Sequence, residues 1–190
     1  MIPILIAPPA VEPLSLAEAK AWLRVDTTSD DDVIGALIAS ARLVVEALVR
    51  RVLVAQTWRI ALDSAPASGF LLPISPVRSI AAVRVFPLAG PAQTLSADMY
   101  ALDQDLGTGR LVFNTTPPSP GRLRDGFEID FVAGFSDTAA GVPAPLRQAM
   151  RILIARWYEN RGDVEADADM ARTPASVAAL VAPYRRVRLA

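Results

Sequence analysis

Three consecutive carboxylates, Asp30, Asp31 and Asp32, form the longest acidic run in the sequence. Carboxylate oxygens are the ligands that Mg²⁺ and Ca²⁺ prefer, so this run is the first candidate for metal-assisted chemistry. It lacks the glycine and the distal glutamate of a calcium loop. It also stands directly before a long apolar-periodic stretch, where acidic side chains cap a helix and oppose its dipole. We therefore interpret the run as a helix start and predict no metal ion or other cofactor.

Other catalytic patterns are incomplete. The turn Leu106-Gly107-Thr108-Gly109-Arg110 is similar to a phosphate loop, but it lacks a third glycine, a lysine and a following helix. We predict a hairpin connection there. The chain has no histidine and no cysteine, and its only lysine is Lys20, so serine or threonine nucleophiles have no ordinary base. We predict that the protein is not an enzyme and has no catalytic residues. A small metal enzyme built on Asp30 to Asp32 is the alternative.

The composition is that of a globular protein without a strong charge. The chain has 190 residues, of which 52% are hydrophobic and 21% charged, and its formal net charge is −1. There is no global attraction to nucleic acid or to an acidic membrane, so any DNA contact must be local or transient. The apolar first residues have no basic leader and are cut short by Pro8 and Pro9. We expect a cytoplasmic protein with an extended N-terminal arm.

The first part of the chain has helical periodicity. Ser15 and Glu18 have capping-box spacing, which predicts a short helix from Leu16 to Leu23 or Arg24. A polar break ends at Asp32, and apolar residues then recur at steps of three and four as far as Val49. This pattern predicts a long amphipathic helix.

From Gln56 onward the apolar period changes from helical spacing to alternation, which is typical of half-buried strands. Turn-rich pieces separate the runs. The six predicted strands begin near Gln56 and then cover Phe70 to Leu72, Ile80 to Phe86, Met99 to Leu102, Arg110 to Phe113 and Phe127 to Val132. Short strands with such loops predict a small antiparallel β-sandwich or barrel-like region.

Helical spacing returns after Pro143 and Pro145 and continues to Asn160, and a last short helix runs from Pro174 to Val181. Neither helical end closes a core alone, so the two must pack on each other. The sequence predicts an α+β fold. Its discontinuous helical core is 1–54 and 143–190, with an N-terminal arm and a C-terminal tail, and the inserted β region is 55–142.

Several segments together resemble the head–tail connector proteins of long-tailed phages and prophages, and the matching adaptors of gene transfer agents. Each segment has an ordinary structural reason by itself, and the resemblance lies in their order and spacing. The segments are Pro13 to Lys20 with Leu23 to Asp26, Asp31-Asp32 before Leu37-Ile38, Gln56-Thr57-Trp58, Leu72-Pro73 with Pro76-Val77 and Ser79-Ile80, Val132 to Phe135, Val142 to Ala149, and Trp157 to Arg161.

The resemblance implies a structural subunit of the neck of a virion or phage-like particle, assembled in the bacterial cytoplasm. It implies a ring of about twelve copies between the portal protein and the next neck or tail ring, a stopper or tail terminator, with no membrane partner. Double-stranded DNA would pass through the lumen without sequence specificity. A tail-completion protein or a DNA-packaging accessory protein is the alternative.

The arginine-rich C-terminal residues are the predicted interaction site. An extreme terminus of this kind is either frayed or docked on a partner. The resemblance implies that it reaches the portal, and arginine and tyrosine are frequent interface anchors. The residues predicted to contact the portal are Tyr184, Arg185, Arg186, Arg188 and Leu189.

Overall fold

The structure is a computed structural model that describes residues 2–66, 69–104, 109–160 and 173–186. The chain divides into two compact units. The helical unit consists of Val11–Val54 and Ser136–Ala190, and the sheet unit consists of Met1–Ala10 and Ala55–Phe135. Both helices and antiparallel sheets are present, so the predicted α+β class is confirmed.

The described part of the helical unit contains four α-helices, and the predicted helices are all present. Their bounds are α1 Leu16–Leu23, α2 Asp31–Val49, α3 Ala144–Glu159 and α4 Ala175–Val181. The predicted capping box begins α1: the Ser15 hydroxyl accepts from the Glu18 N–H at 3.2 Å, and the Glu18 carboxylate accepts from the Ser15 N–H at 3.0 Å. Among the described residues, no helix is both long and apolar enough to cross a membrane.

The core of the helical unit is formed by one apolar stripe from each of the longer helices. Helix α2 contributes Ile34, Ile38, Ala41, Val45 and Val49, and α3 contributes Leu146, Ala149, Met150, Leu153 and Ile154. Arg147 of α3 also holds the segment before α1, because its Nε donates to the Pro13 carbonyl at 2.9 Å and its Nη2 pairs with Glu18. The two sequence-distant helical ends therefore share one core.

The sheet unit has eight strands among its described residues, arranged in two antiparallel sheets. The first sheet has the order β1-β2-β8-β4-β5, and the second has the order β3-β7-β6. The bounds are β1 Ile4–Ala7, β2 Gln56–Leu62, β3 Phe70–Leu71, β4 Val77–Val85, β5 Gln93–Thr94, β6 Tyr100–Asp103, β7 Arg110–Phe113 and β8 Phe127–Ala133. The rings of Phe113 and Phe127 pack edge to face with centroids 5.7 Å apart, and so join the two sheets.

Two strands were not predicted. Strand β1 lies in the segment predicted to be an arm of the helical core, and it pairs with β2 instead. Its four residues show no alternation, because Ile4, Leu5 and Ile6 are all exposed and apolar. Strand β5 has only two residues, too few for a periodic signal. The second boundary of the sheet unit falls at Phe135, earlier than the predicted 142.

Candidate interaction surfaces

Two of the three carboxylates at the start of α2 contact side chains of the same chain. The Tyr158 hydroxyl donates to Asp30, and Lys20 Nζ lies 2.6 Å from Asp31 Oδ1. Asp30 occupies the N-cap position but makes no side-chain cap hydrogen bond, so the prediction of a cap was wrong there. Asp31 and Asp32 remain in the first turn, where they oppose the helix dipole. Within the described ranges, no three acidic side chains cluster closely enough to hold a metal ion.

Strands β6 and β7 flank the glycine-containing segment that was predicted to be a hairpin connection. They pair antiparallel, with Asp103 opposite Arg110. The connection itself, residues 105–108, lies outside the described residues.

The C-terminal segment, defined as residues 182–190, lies against its own chain as far as Arg186. The Arg186 N–H donates to the Val49 carbonyl at 3.1 Å, and Arg185 Nε donates to the Leu48 carbonyl at 3.2 Å. The last carbonyls of a helix have no partner inside the helix, so these two donors complete the end of α2. Up to Arg186 the segment is therefore held on its own chain, and docking on a partner stays a prediction.

The predicted portal-contact residues differ in accessibility. Arg185 is exposed, whereas Tyr184 and Arg186 are half-buried. Arg188 and Leu189 lie outside the described residues. The cationic side chains of the described part stand at the negative end of the α2 dipole, a position that favours positive charge.

An apolar groove of about 580 Å³ opens in the helical unit. Val11, Leu14, Leu16, Gly35, Ile38 and Ala139 are among the residues that line it. A Cβ atom on Gly35 would meet nothing within 4 Å, so packing within the chain does not require a glycine there. Sequence reasoning missed this groove, and a glycine in the second turn of an otherwise strong helix was the available signal.

Each unit also exposes large apolar side chains. On α2, Leu43 is 57% exposed and Val33 is 40% exposed. No charged residue occurs in α2 between Val33 and Ala41, so a long part of its outer surface is apolar or small. In the sheet unit, Ile2 is 83% exposed, and the apolar residues of β1 continue this surface. Apolar residues exposed together on a protein surface mark sites that a partner covers.

Charged side chains on one face of the five-stranded sheet form a closed network. Asp130 accepts from Arg59 Nε at 2.7 Å, from Arg59 Nη2 at 2.9 Å and from Arg84 Nη1 at 2.7 Å. Burial alone would raise the pKa of Asp130, but the hydrogen bonds and charges of the two arginines outweigh it and hold that pKa below its ordinary value. The Asp130 carboxylate is thus occupied by the two arginines and is not available as a general base.

A second charged group lies at the end of α2. The Glu46 carboxylate accepts from the Leu53 N–H at 2.9 Å and from Arg42 Nη1 at 3.2 Å. Arg42 also donates to Glu12 at 2.8 Å, so one guanidinium serves two carboxylates. Burial raises the pKa of Glu46 despite these partners. The group fixes the turn after α2, and its position inside the unit gives it a structural role.

Comparison with protein families and solved structures agrees with this picture. The family model described as head completion protein matches residues 12–187. Comparison with curated protein sequences finds no match.

Three similar solved chains come from gene transfer agent particles. A chain from the neck of an empty particle, computed with C6 symmetry, is 28% identical, with a TM-score of 0.81. A chain from the virion of a native particle is 28% identical with a TM-score of 0.79, and one from a native neck computed with C12 symmetry is 27% identical with a TM-score of 0.74. Each alignment covers 100% of this chain and 98% of the other.

The family match spans nearly the whole sequence, and the resemblance to neck proteins that the sequence suggested is confirmed. The chain belongs to the head completion protein family.

Proposed function

We propose that this protein is a structural subunit of a ring in the neck of a phage-like particle, between the portal and the tail. The observation that carries the proposal is the similarity to neck chains, which covers 100% of this chain and 98% of each neck chain. The similar necks were computed with C6 and C12 symmetry, which supports a ring of repeated copies. A ring subunit needs two unlike adhesive surfaces, and each unit of this chain exposes an apolar one.

Double-stranded DNA passes through the lumen of this ring. A formal net charge of −1 supports such a conduit, because a densely basic channel would hold phosphates through counterion release and resist their exit. The ring acts as a platform and carries out no reaction. Its tail-side partner is the next neck or tail ring, a stopper or tail terminator.

The portal partner can be tested by reconstitution. Purified protein would be mixed with the portal complex of its own particle, and the product examined by negative-stain imaging and native mass spectrometry. The expected product is a second ring stacked on the tail-facing end of the portal, with a mass that gives the copy number. No association, with a portal that binds its other partners, would contradict the proposal.

Particles assembled without this protein distinguish the connector role from the packaging-accessory role. The connector proposal predicts DNA-filled heads without tails. Empty heads would favour the packaging-accessory alternative. Electron microscopy of the particles together with measurement of their protected DNA distinguishes these results.

The C-terminal segment is the proposed portal contact, through Tyr184, Arg185, Arg186, Arg188 and Leu189. The exposed position of Arg185 supports this role, because the residue stays accessible while its Nε and the Arg186 N–H hold the segment on α2. Arg185→Ala is expected to weaken portal binding about tenfold, the loss typical of an interface anchor. Deleting residues 187–190 should weaken it further and leaves the Arg186 hydrogen bond to Val49 in place.

The matched control is Arg124→Ala, because Arg124 is an exposed arginine of the sheet unit. Binding would be measured by surface plasmon resonance on immobilised portal. If Arg185→Ala and the deletion bind as tightly as Arg124→Ala, the portal contact lies elsewhere on the chain. Thermal unfolding of each variant checks that the fold is retained.

A further inference from the structure

The five-stranded sheet has two open edges, and three rows of paired residues cross it from one edge to the other. The rows run through β1, β2, β8 and β4, with directly opposite residues on neighbouring strands. From β1 to β4 they read Ile4–Arg59–Asp130–Ala82, Leu5–Trp58–Phe131–Ile80 and Ala7–Thr57–Val132–Ser79. No strand in the described ranges pairs with the outer side of β1.

The β4 edge is open at the same three rows. Strand β5 pairs with β4 only at Arg84 and Val85, and Leu95 adds one hydrogen bond at Val83. Among the described residues, no strand pairs with the outer side of β4 from Ser79 to Ala82. The unpaired part of the β4 edge, Ser79 to Ala82, therefore contains the residues at which the three rows end.

The row ends lack the charged side chains that most often protect a free edge, although register shifts between Leu5 and Ala7 and between Ile80 and Ala82 interrupt both edge strands. Natural sheets prevent edge-to-edge pairing with charged side chains, especially lysine, at the edge strands. Here all six row ends are uncharged. They are Ile4, Leu5 and Ala7 on one edge and Ala82, Ile80 and Ser79 on the other. The central row is apolar across the entire sheet, and its β1 end, Leu5, is 44% exposed.

The strand directions suit a contact between unlike edges. Each neighbouring pair from β1 through β2 and β8 to β4 is antiparallel, so β1 and β4 run in opposite directions. If a second copy lies beside the first with its sheet in the same orientation, its β1 becomes the antiparallel neighbour of β4 in the first copy. If the rows continue without a shift, Leu5 of one copy stands opposite Ile80 of the next.

We infer that the β1 edge of one copy pairs with the open β4 edge of the next, so that the five-stranded sheets join into one sheet around the ring. The inference rests on the proposed ring. Such a contact is heterologous, because each copy pairs its β1 edge with one neighbour and its β4 edge with the other. Heterologous contacts repeat until a ring closes. Hydrogen bonds between the two backbones supply affinity, and packing between the side chains of facing row ends sets the register.

The natural chain has no cysteine, which makes disulfide cross-linking a clean test. Particles would be produced with the double variant Leu5→Cys/Ile80→Cys in place of the natural chain, then oxidised and run on a non-reducing gel. Directly opposite residues of paired strands have Cβ atoms about 4.5–5.5 Å apart, close enough for a disulfide after a small adjustment. The expected result is a ladder of covalent multimers. Ile4→Cys/Ala82→Cys tests the neighbouring row.

The control pair is Leu5→Cys/Leu123→Cys, because Leu123 is 93% exposed and lies outside the β4 edge. At least about tenfold less cross-linked chain is expected from it, since disulfide geometry is narrow. Each variant is first shown to keep the unfolding temperature of the natural chain under reducing conditions.

Other outcomes overturn the inference in distinguishable ways. Incorporated chains that stay monomeric in both row variants exclude the edge contact and leave the ring proposal intact. Dimers from the single variant Leu5→Cys would mean that like edges pair. Absence of the natural chain itself from purified particles would defeat the neck proposal, and the edge contact with it.

Discussion

Asp130 in the sheet unit and Glu46 in the helical unit are both carboxylates withdrawn from solvent, yet their pKa values move in opposite directions. Their side chains are 8% and 11% exposed, but Glu46 lies deeper inside its unit, so burial raises its pKa more strongly. The two carboxylates also differ in the number of guanidinium groups that contact them. Asp130 receives three hydrogen bonds from two arginines, whereas Glu46 shares Arg42 with Glu12. Burial of a carboxylate is offset only where enough positive charge is held at contact.

The largest expected effect is in the sheet unit. Asp130→Ala leaves Arg59 and Arg84 beside each other without the carboxylate that both contact. We expect the free energy of unfolding to fall by about 3 kcal/mol, the lower end of the loss on removing one partner of a buried ion pair, because both arginines are partly exposed. Urea denaturation measures the loss.

The matched control for this change is Glu128→Gln. Glu128 lies 3.5 Å from Arg59 and 3.9 Å from Arg84, farther than Asp130 does. Its replacement should cost less than about 1 kcal/mol. Equal losses at the two positions would show that Asp130 has no special place in the network.

In the helical unit, the hydrogen bond matters more than the charge. Glu46→Ala removes the acceptor of the Leu53 N–H, and Leu53 is fully buried, so we expect a loss of about 1 to 3 kcal/mol. Glu46→Gln keeps an amide oxygen in the same place and removes the buried charge. It should change stability by less than about 1 kcal/mol. Similar losses for the two variants, measured by urea denaturation, would contradict this account.

The two carboxylates also predict opposite pH responses. The pKa of Asp130 is lowered from 3.8, so its contribution is present above that value and is lost as the pH falls through the native pKa. The pKa of Glu46 is raised from 4.5, so its contribution is present below that value and is lost as the pH rises through the native pKa. Asp130→Asn should flatten the acid side of the stability profile, and Glu46→Gln the side above 4.5. Urea denaturation at a series of pH values measures both slopes, and unchanged slopes would contradict the assignments.

The N-terminal ends of α1 and α2 allow a test with a smaller expected effect. Ser15→Ala removes a real cap and should destabilise the protein by about 1 kcal/mol. Asp30→Ala removes no cap, but it removes the acceptor of the Tyr158 hydroxyl. The losses of Asp30→Ala and Tyr158→Phe should therefore overlap in a double-mutant cycle. Strict additivity of the two would show that their hydrogen bond contributes nothing.

These two helix starts also show what the sequence could predict. The capping box at Ser15 and Glu18 is a local pattern, because both partners lie within one turn, and it was predicted correctly. The partner of Asp30 is Tyr158, 128 residues away, and no local spacing indicates it. Strand β1 was missed for the same reason, because it is a strand only through its pairing with β2. Patterns repeated within a segment were predictable, whereas contacts between distant segments were not.

The groove in the helical unit predicts a change of the opposite sign. A glycine inside a helix costs about 0.5 to 1 kcal/mol relative to alanine. A Cβ on Gly35 meets no atom within 4 Å, so Gly35→Ala should raise the free energy of unfolding by about that amount. The control is Ala36→Gly on the same helix, which should lower it by a similar amount because Ala36 is exposed. If Gly35→Ala instead destabilises the isolated protein, the space beside Gly35 is filled in solution, and the groove is not open there.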